Sequence, residues 1–238
     1  MWISGVHVVK EVLSKKPHLA IEVVFCRKDS AVMEIVDQAR VCGLAVKELS
    51  RADLNQIVGY RQHQGIALKI KAFPYADFDD LLDQPPENIS PLVLLDEIED
   101  PQNFGSILRS AAFFGSGGII IPEHRSVSVT DAVSRVSAGA ISMVSVVRVP
   151  NLVRAMKALS DRGFTIVGLD AHAELSIYDS ELLHPVALVV GNEHRGMRRL
   201  VREHCHRIVK IPARGEMESL NAAVATAVAL AEVLRQNS

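Results

Sequence analysis

The chain has 238 residues, 48% of them hydrophobic and 23% charged, with a formal net charge of −2. That length suits one large domain or two small ones, and that apolar share can fill a real core. A mainly disordered chain is excluded, and 14 Gly and 10 Pro without a period exclude a collagen-like or Pro/Gly-rich array.

In chain order, Val6, Val9, Val12 and Leu13 recur at helical spacing and predict a first helix. Ile21 to Cys26 is a β-branched run and predicts a strand. A helix is expected over 31–39, with Val32, Ile35 and Val36 inward and Asp29 or Ser30 as its cap. Residues 45–48 and 66–70 complete a short sheet. Pro74, Asp77, Asp79, Asp80, Asp83 and Pro85-Pro86 read as an acidic linker. Beyond it, strands are expected at 92–95, 119–121, 142–147, 165–167, 186–190 and 207–210. Helices are expected through Phe114 and over 130–138, 152–159, 197–203 and 220–234. Continuous apolar strands alternating with helices mean a parallel sheet covered on both faces. Ligands of such sheets bind outside the carboxyl ends of the strands.

Charge follows the same division. Residues 1–75 hold 11 basic and 7 acidic side chains, 76–100 hold nine acids and no base, and 101–238 hold 15 bases and 12 acids. From Arg195 through Arg198, Arg199, Arg202 and Arg207 to Lys210, the basic run faces only Glu203. Such a run is either a solvated helix face or a surface for a phosphate backbone. No apolar run reaches the roughly 18–20 residues of a membrane span. The start, Met1 to His7, lacks the pattern of a signal peptide, and Cys26, Cys42 and Cys205 suit buried thiols in a reducing compartment. A cytoplasmic protein without membrane partners is expected.

Three loops at strand ends carry chemistry. The first is Asp100-Pro-Gln-Asn103-Phe-Gly105, with Arg109 further on. It is either a Pro-bearing turn capped by Asn103, or a site in which Arg109, set among Ile107, Leu108, Ala111 and Ala112, meets an anion. The second is Gly191-Asn-Glu193-His194-Arg195-Gly196, whose glycines permit a tight turn and a close backbone approach to a ligand. Glu193 there is either a carboxylate on a helix dipole or a group that orients a substrate or Arg109. The third runs from Ile211-Pro212 to Ser219-Leu220-Asn221, with Ser219 a respectable helix cap. Weaker signals fail on context. Gly115 to Gly118 precedes a strand instead of following one, no phosphate-binding P-loop or GxSxG elbow is present, and His204-Cys205-His206 lacks further ligands, so no metal is expected.

Together the three loops resemble the motifs of the SpoU (TrmH-like) branch of the SPOUT RNA methyltransferases. Ser4-Gly-Val-His7 and His63-Gln-Gly-Ile66 resemble the N-terminal substrate-binding domain of that family's bacterial 23S rRNA guanosine-2′-O-methyltransferases, as does Gly196 to Cys205 their motif region. One departure is Ala222-Ala223, where the family commonly has Val-Ser. The resemblance implies an α/β protein with a trefoil-knotted, parallel-sheet SPOUT domain over 91–238, an N-terminal RNA-binding α/β domain over 1–73 and the linker over 74–90. It implies S-adenosylmethionine held by backbone groups at Gly191, Ile211 and Leu220, and a homodimer with the site near the subunit interface. Asn103, Arg109, Glu193, Ser219 and Asn221 are the implied catalytic set. His7, Arg61, His63, Arg195, Arg198 and Arg199 are RNA-contact candidates. The implied reaction methylates the ribose 2′-oxygen of a guanosine in 23S rRNA, and the 2′-hydroxyl selects RNA over DNA. Two other readings stand: the same chemistry on tRNA or another rRNA loop, and a non-catalytic RNA-binding assembly factor that keeps the fold.

Overall fold

The computed structural model describes all 238 residues, which cluster into two compact units. Unit one holds Met1–Pro74 with Val129–Met143, and unit two holds Tyr75–Ser128 with Val144–Ser238.

Unit one is a four-stranded sheet in the order β1 (Trp2–Ser4), β4 (Ile66–Ile70), β2 (Ala20–Phe25), β3 (Ala45–Glu48). Only the β2–β3 pair is parallel. Alternation along the strands divides two cores. Ile3, Val23, Phe25, Ile66 and Leu68 pack with Val9, Val12 and Leu13 of α1 (Val6–Lys15) and with Val32, Ile35 and Val36 of α2 (Ser30–Val41). Val24 and Ala67, pointing the other way, pack with Leu54 and Val58 of α3 (Arg51–Val58) and with Tyr60. Asp29 caps α2 as expected, accepting from the Val32 N–H at 3.3 Å. The β1 strand and α3 were not legible in the sequence, because three residues carry no period and α3 buries only two.

Residues 129–143, which the sequence reading places inside the 91–238 domain, cluster with unit one. Their helix α7 (Asp131–Val136) starts at Thr130, and the Ser134 hydroxyl donates to the Trp2 carbonyl at 3.3 Å. The expected linker is likewise folded. It forms α4 (Phe78–Leu82) and α5 (Pro86–Ile89), and buries Leu81 and Ile89 in the core of unit two. Leu81 and Ile89, with Phe78 and Leu82 partly buried beside them, dock it, and its five acids face solvent.

Unit two is a seven-stranded, all-parallel sheet. Its order is β7 (Val146–Val149), β6 (Gly118–Pro122), β5 (Leu92–Asp96), β10 (Val186–Gly191), β8 (Thr165–Leu169), β11 (Arg207–Lys210), β9 (Leu175–Ser176). The late strand β10 sits between β5 and β8. One face carries α8 (Leu152–Asp161) and α9 (Arg199–Glu203) with α4 and α5. Helix α6 (Pro101–Phe113) packs on α10 (Ala222–Gln236), which also contacts β10. The carboxyl ends of β5, β10 and β11 therefore open toward one rim, as a parallel sheet requires.

Candidate active site

Each motif loop leaves the carboxyl end of a parallel strand, and local chemistry fixes each one. After β5, Asp100 caps α6 by accepting from the Gln102 N–H at 2.9 Å. Asn103 is thus not the cap that the turn reading expects. It lies inside the first turn, 8% exposed, with its side chain free for other work. After β10, a bridge between Asn192 and Gly196 closes the loop, and the Asn192 Oδ1 accepts from the His194 and Arg195 N–H groups at 3.0 and 3.2 Å. A Cβ on Gly191 would lie 2.3 Å from the backbone of Gly196 and Met197, so the close approach is made to its own loop. Before α10, the cap is Asn221 instead of Ser219. Asn221 Oδ1 accepts from the Ala223 and Val224 N–H groups at 2.9 and 3.3 Å.

These loops meet through side chains. Asn221 Nδ2 donates to Asn103 Oδ1 at 2.8 Å, and Asn103 Nδ2 donates to Glu193 Oε1 at 2.6 Å. Both ends of the Asn103 amide are used, which fixes its orientation. The Glu193 carboxylate is then held with its second oxygen uncommitted within this chain of bonds. A backbone-capped amide, a buried amide and a carboxylate form one line from the start of α10 to the loop after β10.

The other expected residues are placed differently. Arg109 is exposed and makes no hydrogen bond or ion pair within the chain. Six residues from Asn103 on a helix of about 3.6 residues per turn, it projects roughly 120° away from it. Glu193 therefore bonds Asn103 and does not anchor Arg109. Ser219, exposed in its loop, makes no hydrogen bond within the chain. Ile211 and Leu220 bracket a loop whose residues 212–220 are all exposed and make no backbone hydrogen bonds within the chain.

Among the RNA-contact candidates, the structure buries His63 and pairs Arg198, which stays exposed, with two acids. His63 is 1% exposed. Its Nδ1 accepts from the Gly65 N–H at 3.0 Å, so its proton sits on Nε2, which donates to Asn55 Oδ1 at 2.8 Å. It locks a turn in unit one. Burial, aided by the Arg51 charge, holds its imidazole below the ordinary 6.5. Arg198 clamps acids: its backbone N–H and its Nε donate to the two oxygens of Asp96 at 2.7 Å each. Arg199 pairs with Glu203 at 2.7 Å, Arg202 with Asp170, and Arg207 with Glu181 at 3.5 Å. The basic run is thus largely neutralised by acids that are distant in sequence. His7, Arg61 and Arg195 remain exposed. Near the run, His206 uses both ring nitrogens, with Ser160 and the Ile166 N–H, and burial pushes the Cys205 thiol up to about 12.

Sequence reasoning missed Asp96, Glu97 and Asn192. The signal was present, since an acid ending an apolar strand needs a partner.

Comparison with known proteins agrees with this layout. Residues 90–231 match the SpoU rRNA Methylase family, and residues 2–76 match the RNA 2′-O ribose methyltransferase substrate binding family. A tRNA/rRNA methyltransferase of Mycobacterium avium (strain 104), described as uncharacterized, is 44% identical over 212 residues, covering 87% of this chain and 68% of that protein. The SpoU methyltransferase AviRb from Streptomyces viridochromogenes, solved with the cofactor AdoMet, superposes with a TM-score of 0.73 at 26% identity, over 99% of this chain and 90% of its own. The TrmH/SpoU tRNA modifying enzyme of A. aeolicus superposes at 0.56 and 26% identity, over 67% of this chain and 83% of its own.

Proposed function

The chain belongs to the SpoU rRNA methylase family, and from that premise we propose that it is an S-adenosylmethionine-dependent methyltransferase acting on the ribose 2′-oxygen of a guanosine in 23S rRNA. One observation carries the reading: Asn221, Asn103 and Glu193, from three separate motif loops, join in a single hydrogen-bonded line at the strand ends. A module that only bound RNA would have no need to couple all three loops through one buried amide.

The residues fit the cofactor. The loop over 212–220 offers unpaired backbone N–H and C=O groups beside Met217 and Leu220, which are 79% and 49% exposed. A nucleoside with an apolar ring and a polar edge matches that lining. Ile211 and Leu220 bracket this loop, and Gly191 ends β10, separated from β11 by β8 in the sheet. When bound, the cofactor supplies a methyl group on a sulfonium leaving group. The chain must place a 2′-hydroxyl in line with it and steady the developing alkoxide, while the hydroxyl proton passes to solvent water and the sulfonium leaves as a neutral thioether. Asn103 and Asn221 position; the free oxygen of Glu193 orients the ribose. A guanidinium stays protonated and only donates, so Arg109 steadies the alkoxide or grips the adjacent phosphate. Ser219 shapes the methyl site.

The reading extends to assembly and substrate. The C-terminal unit is a trefoil knot, in keeping with β10 lying between β5 and β8. The working form is a homodimer. In its support, α10 exposes an apolar stripe of Val224, Ala231 and Leu234, and α6 leaves Phe113 81% exposed. The separate substrate-binding match over residues 2–76 favours a structured rRNA loop over tRNA.

The deciding experiment incubates the protein with methyl-labelled S-adenosylmethionine and unmodified 23S rRNA, with tRNA in parallel, and maps the label. Label on a guanosine 2′-oxygen of 23S rRNA is expected. Label in tRNA alone keeps the chemistry and reassigns the substrate. Label in neither, with no cofactor binding in a titration, overturns the reading in favour of an assembly factor.

A further inference from the structure

The arginine that the sequence places in a basic, RNA-facing run is spent on the other side of the loop. Asp96 ends β5 and is fully buried. Its carboxylate takes its hydrogen bonds from one residue, Arg198, through the backbone N–H, Nε and Nη2, each at 2.7 Å. Glu97, the next residue, is 5% exposed, and its Oε1 lies 3.2 Å from Arg198 Nη1 and 3.8 Å from Arg125 Nη1. Glu97 has φ +60°, a left-handed conformation rare in a residue with a Cβ. Its carbonyl accepts from Asn192 Nδ2 at 2.8 Å. The turn from β5 into α6 is therefore pinned to the loop after β10 at two places, by Asn192 before Glu193 and by Arg198 after it.

That arrangement costs something to hold. A non-glycine residue in the left-handed region is destabilised by about 1–3 kcal/mol. Two adjacent buried carboxylates also repel unless a cation lies between them. The repulsion is met by the planar Arg198 guanidinium, which hydrogen-bonds Asp96 and lies within ion-pair distance of Glu97 Oε1, a buried oxygen with no hydrogen bond of its own. What the pin secures is the distance between Asn103, in the first turn of α6, and Glu193, which lies between Asn192 and Arg198. That distance is the 2.6 Å hydrogen bond on which the catalytic line depends.

We infer that Arg198 is a positioning residue: by clamping Asp96 and Glu97 it holds the Glu193 loop against Asn103, and it does not contact RNA. The inference rests on the proposed methyltransferase reading. Arg198 acts through Glu193, so its loss should lower turnover more than RNA affinity. A misplacement of about 1 Å can cost roughly 10²-fold in rate.

The test compares wild type, Arg198→Lys and Glu97→Gln in methyl transfer to in vitro-transcribed 23S rRNA and tRNA. It measures kcat, KM for RNA, and the salt dependence of RNA binding, with thermal unfolding to confirm folded protein. Arg198→Lys keeps the charge and loses the fork. Its kcat should fall by about 10²-fold with KM for RNA within about threefold and an unchanged salt slope. Glu97→Gln removes one clamped charge and leaves the Asp96 bonds intact, so it should fold and show a smaller fall of the same kind. Unchanged kcat in both variants overturns the inference. So does a KM for RNA raised about 10-fold with kcat unchanged, the mark of a lost ground-state RNA contact. A wild type inactive on both RNAs overturns the methyltransferase reading itself, and this inference with it.

Discussion

At the scale of single residues, the site depends on amides whose two ends do different jobs. Asn103 accepts from Asn221 and donates to Glu193 while only 8% exposed. Replacing it by alanine strands a donor on one side and a carboxylate on the other. Asn221 is exposed and Glu193 half-buried, so water can replace the lost partner and each bond is worth about 0.5–1.5 kcal/mol. Asn103→Ala should therefore lower stability by that order in denaturant unfolding, and should abolish methyl transfer. Asn103→Asp is the sharper probe, because it sets a second carboxylate where the first is 2.6 Å away. A variant that folds normally and still transfers methyl at the wild-type rate would remove Asn103 from the mechanism. His63 gives the second residue-scale prediction. Its Nδ1 already accepts from Gly65, and its folded-state pKa is depressed by burial and by Arg51. The unfolded chain therefore binds a proton more readily than the folded one. The stability His63 provides is complete above about pH 6.5, the ordinary histidine value, and is lost as pH falls from there through the lower folded value. Thermal unfolding from pH 7.5 to 5 should drop more steeply in wild type than in His63→Asn, whose side-chain oxygen can still accept from Gly65. Parallel curves would show that His63 does not couple folding to pH. His184, also depressed by burial, is present in both proteins and cancels in the comparison.

At the scale of elements, the loop after β10 is set by the backbone of its own glycine. A Cβ on Gly191 would stand 2.3 Å from Gly196 C and Met197 N, atoms that cannot swing aside. Gly196 differs: it needs φ +66°, but a Cβ there would meet open space. Gly191→Ala should displace the loop and Glu193 with it, eliminating transfer. Gly196→Ala should cost only the left-handed penalty of about 1–2 kcal/mol and leave measurable activity. Equal activities would mean that the Asn192–Gly196 bridge does not hold the site. The contrast also marks what a sequence can convey. Most strands and helices of unit two were legible, because apolar runs and a 3.6 period report burial directly; β9, α4 and α5 were too short to show, and the strand expected at 142–147 runs over Val146–Val149. So were the three motif loops. The caps were not: Asp100 and Asn221 cap where Asn103 and Ser219 were expected, since any of these types satisfies the local rule and tertiary bonds decide among them. The linker misled because composition counts acids, whereas docking is decided by Leu81 and Ile89 with Phe78 and Leu82 packed beside them. The charge run misled in the same way, because its partners Asp96, Asp170 and Glu181 lie far off in sequence.

At the scale of the whole molecule, Arg109 poses a problem that one chain does not solve. It lies on the same helix as Asn103, yet it projects elsewhere and has no partner. An exposed cation on an otherwise uncharged helix is useful only if something approaches it. The α10 helix that packs on α6 exposes Val224 and Leu234 at 48% and 49%, with Ala231 between them. Spaced at seven and ten residues, these form one stripe that water must otherwise cover. A second copy of the chain seated there would bury the stripe and enclose the α6 surface that bears Arg109. Val224→Glu with Leu234→Glu should then dissociate the proposed dimer to a 26.0 kDa protomer in light scattering. Both side chains are half exposed in the single chain, so the fold itself should survive with little change in helical signal. Methyl transfer should fall with the dimer fraction. Cofactor binding should fall less, because the 212–220 loop and Gly191 belong to one chain. A variant that is monomeric and fully active would show that each protomer carries a complete site, with Arg109 reaching the RNA unaided.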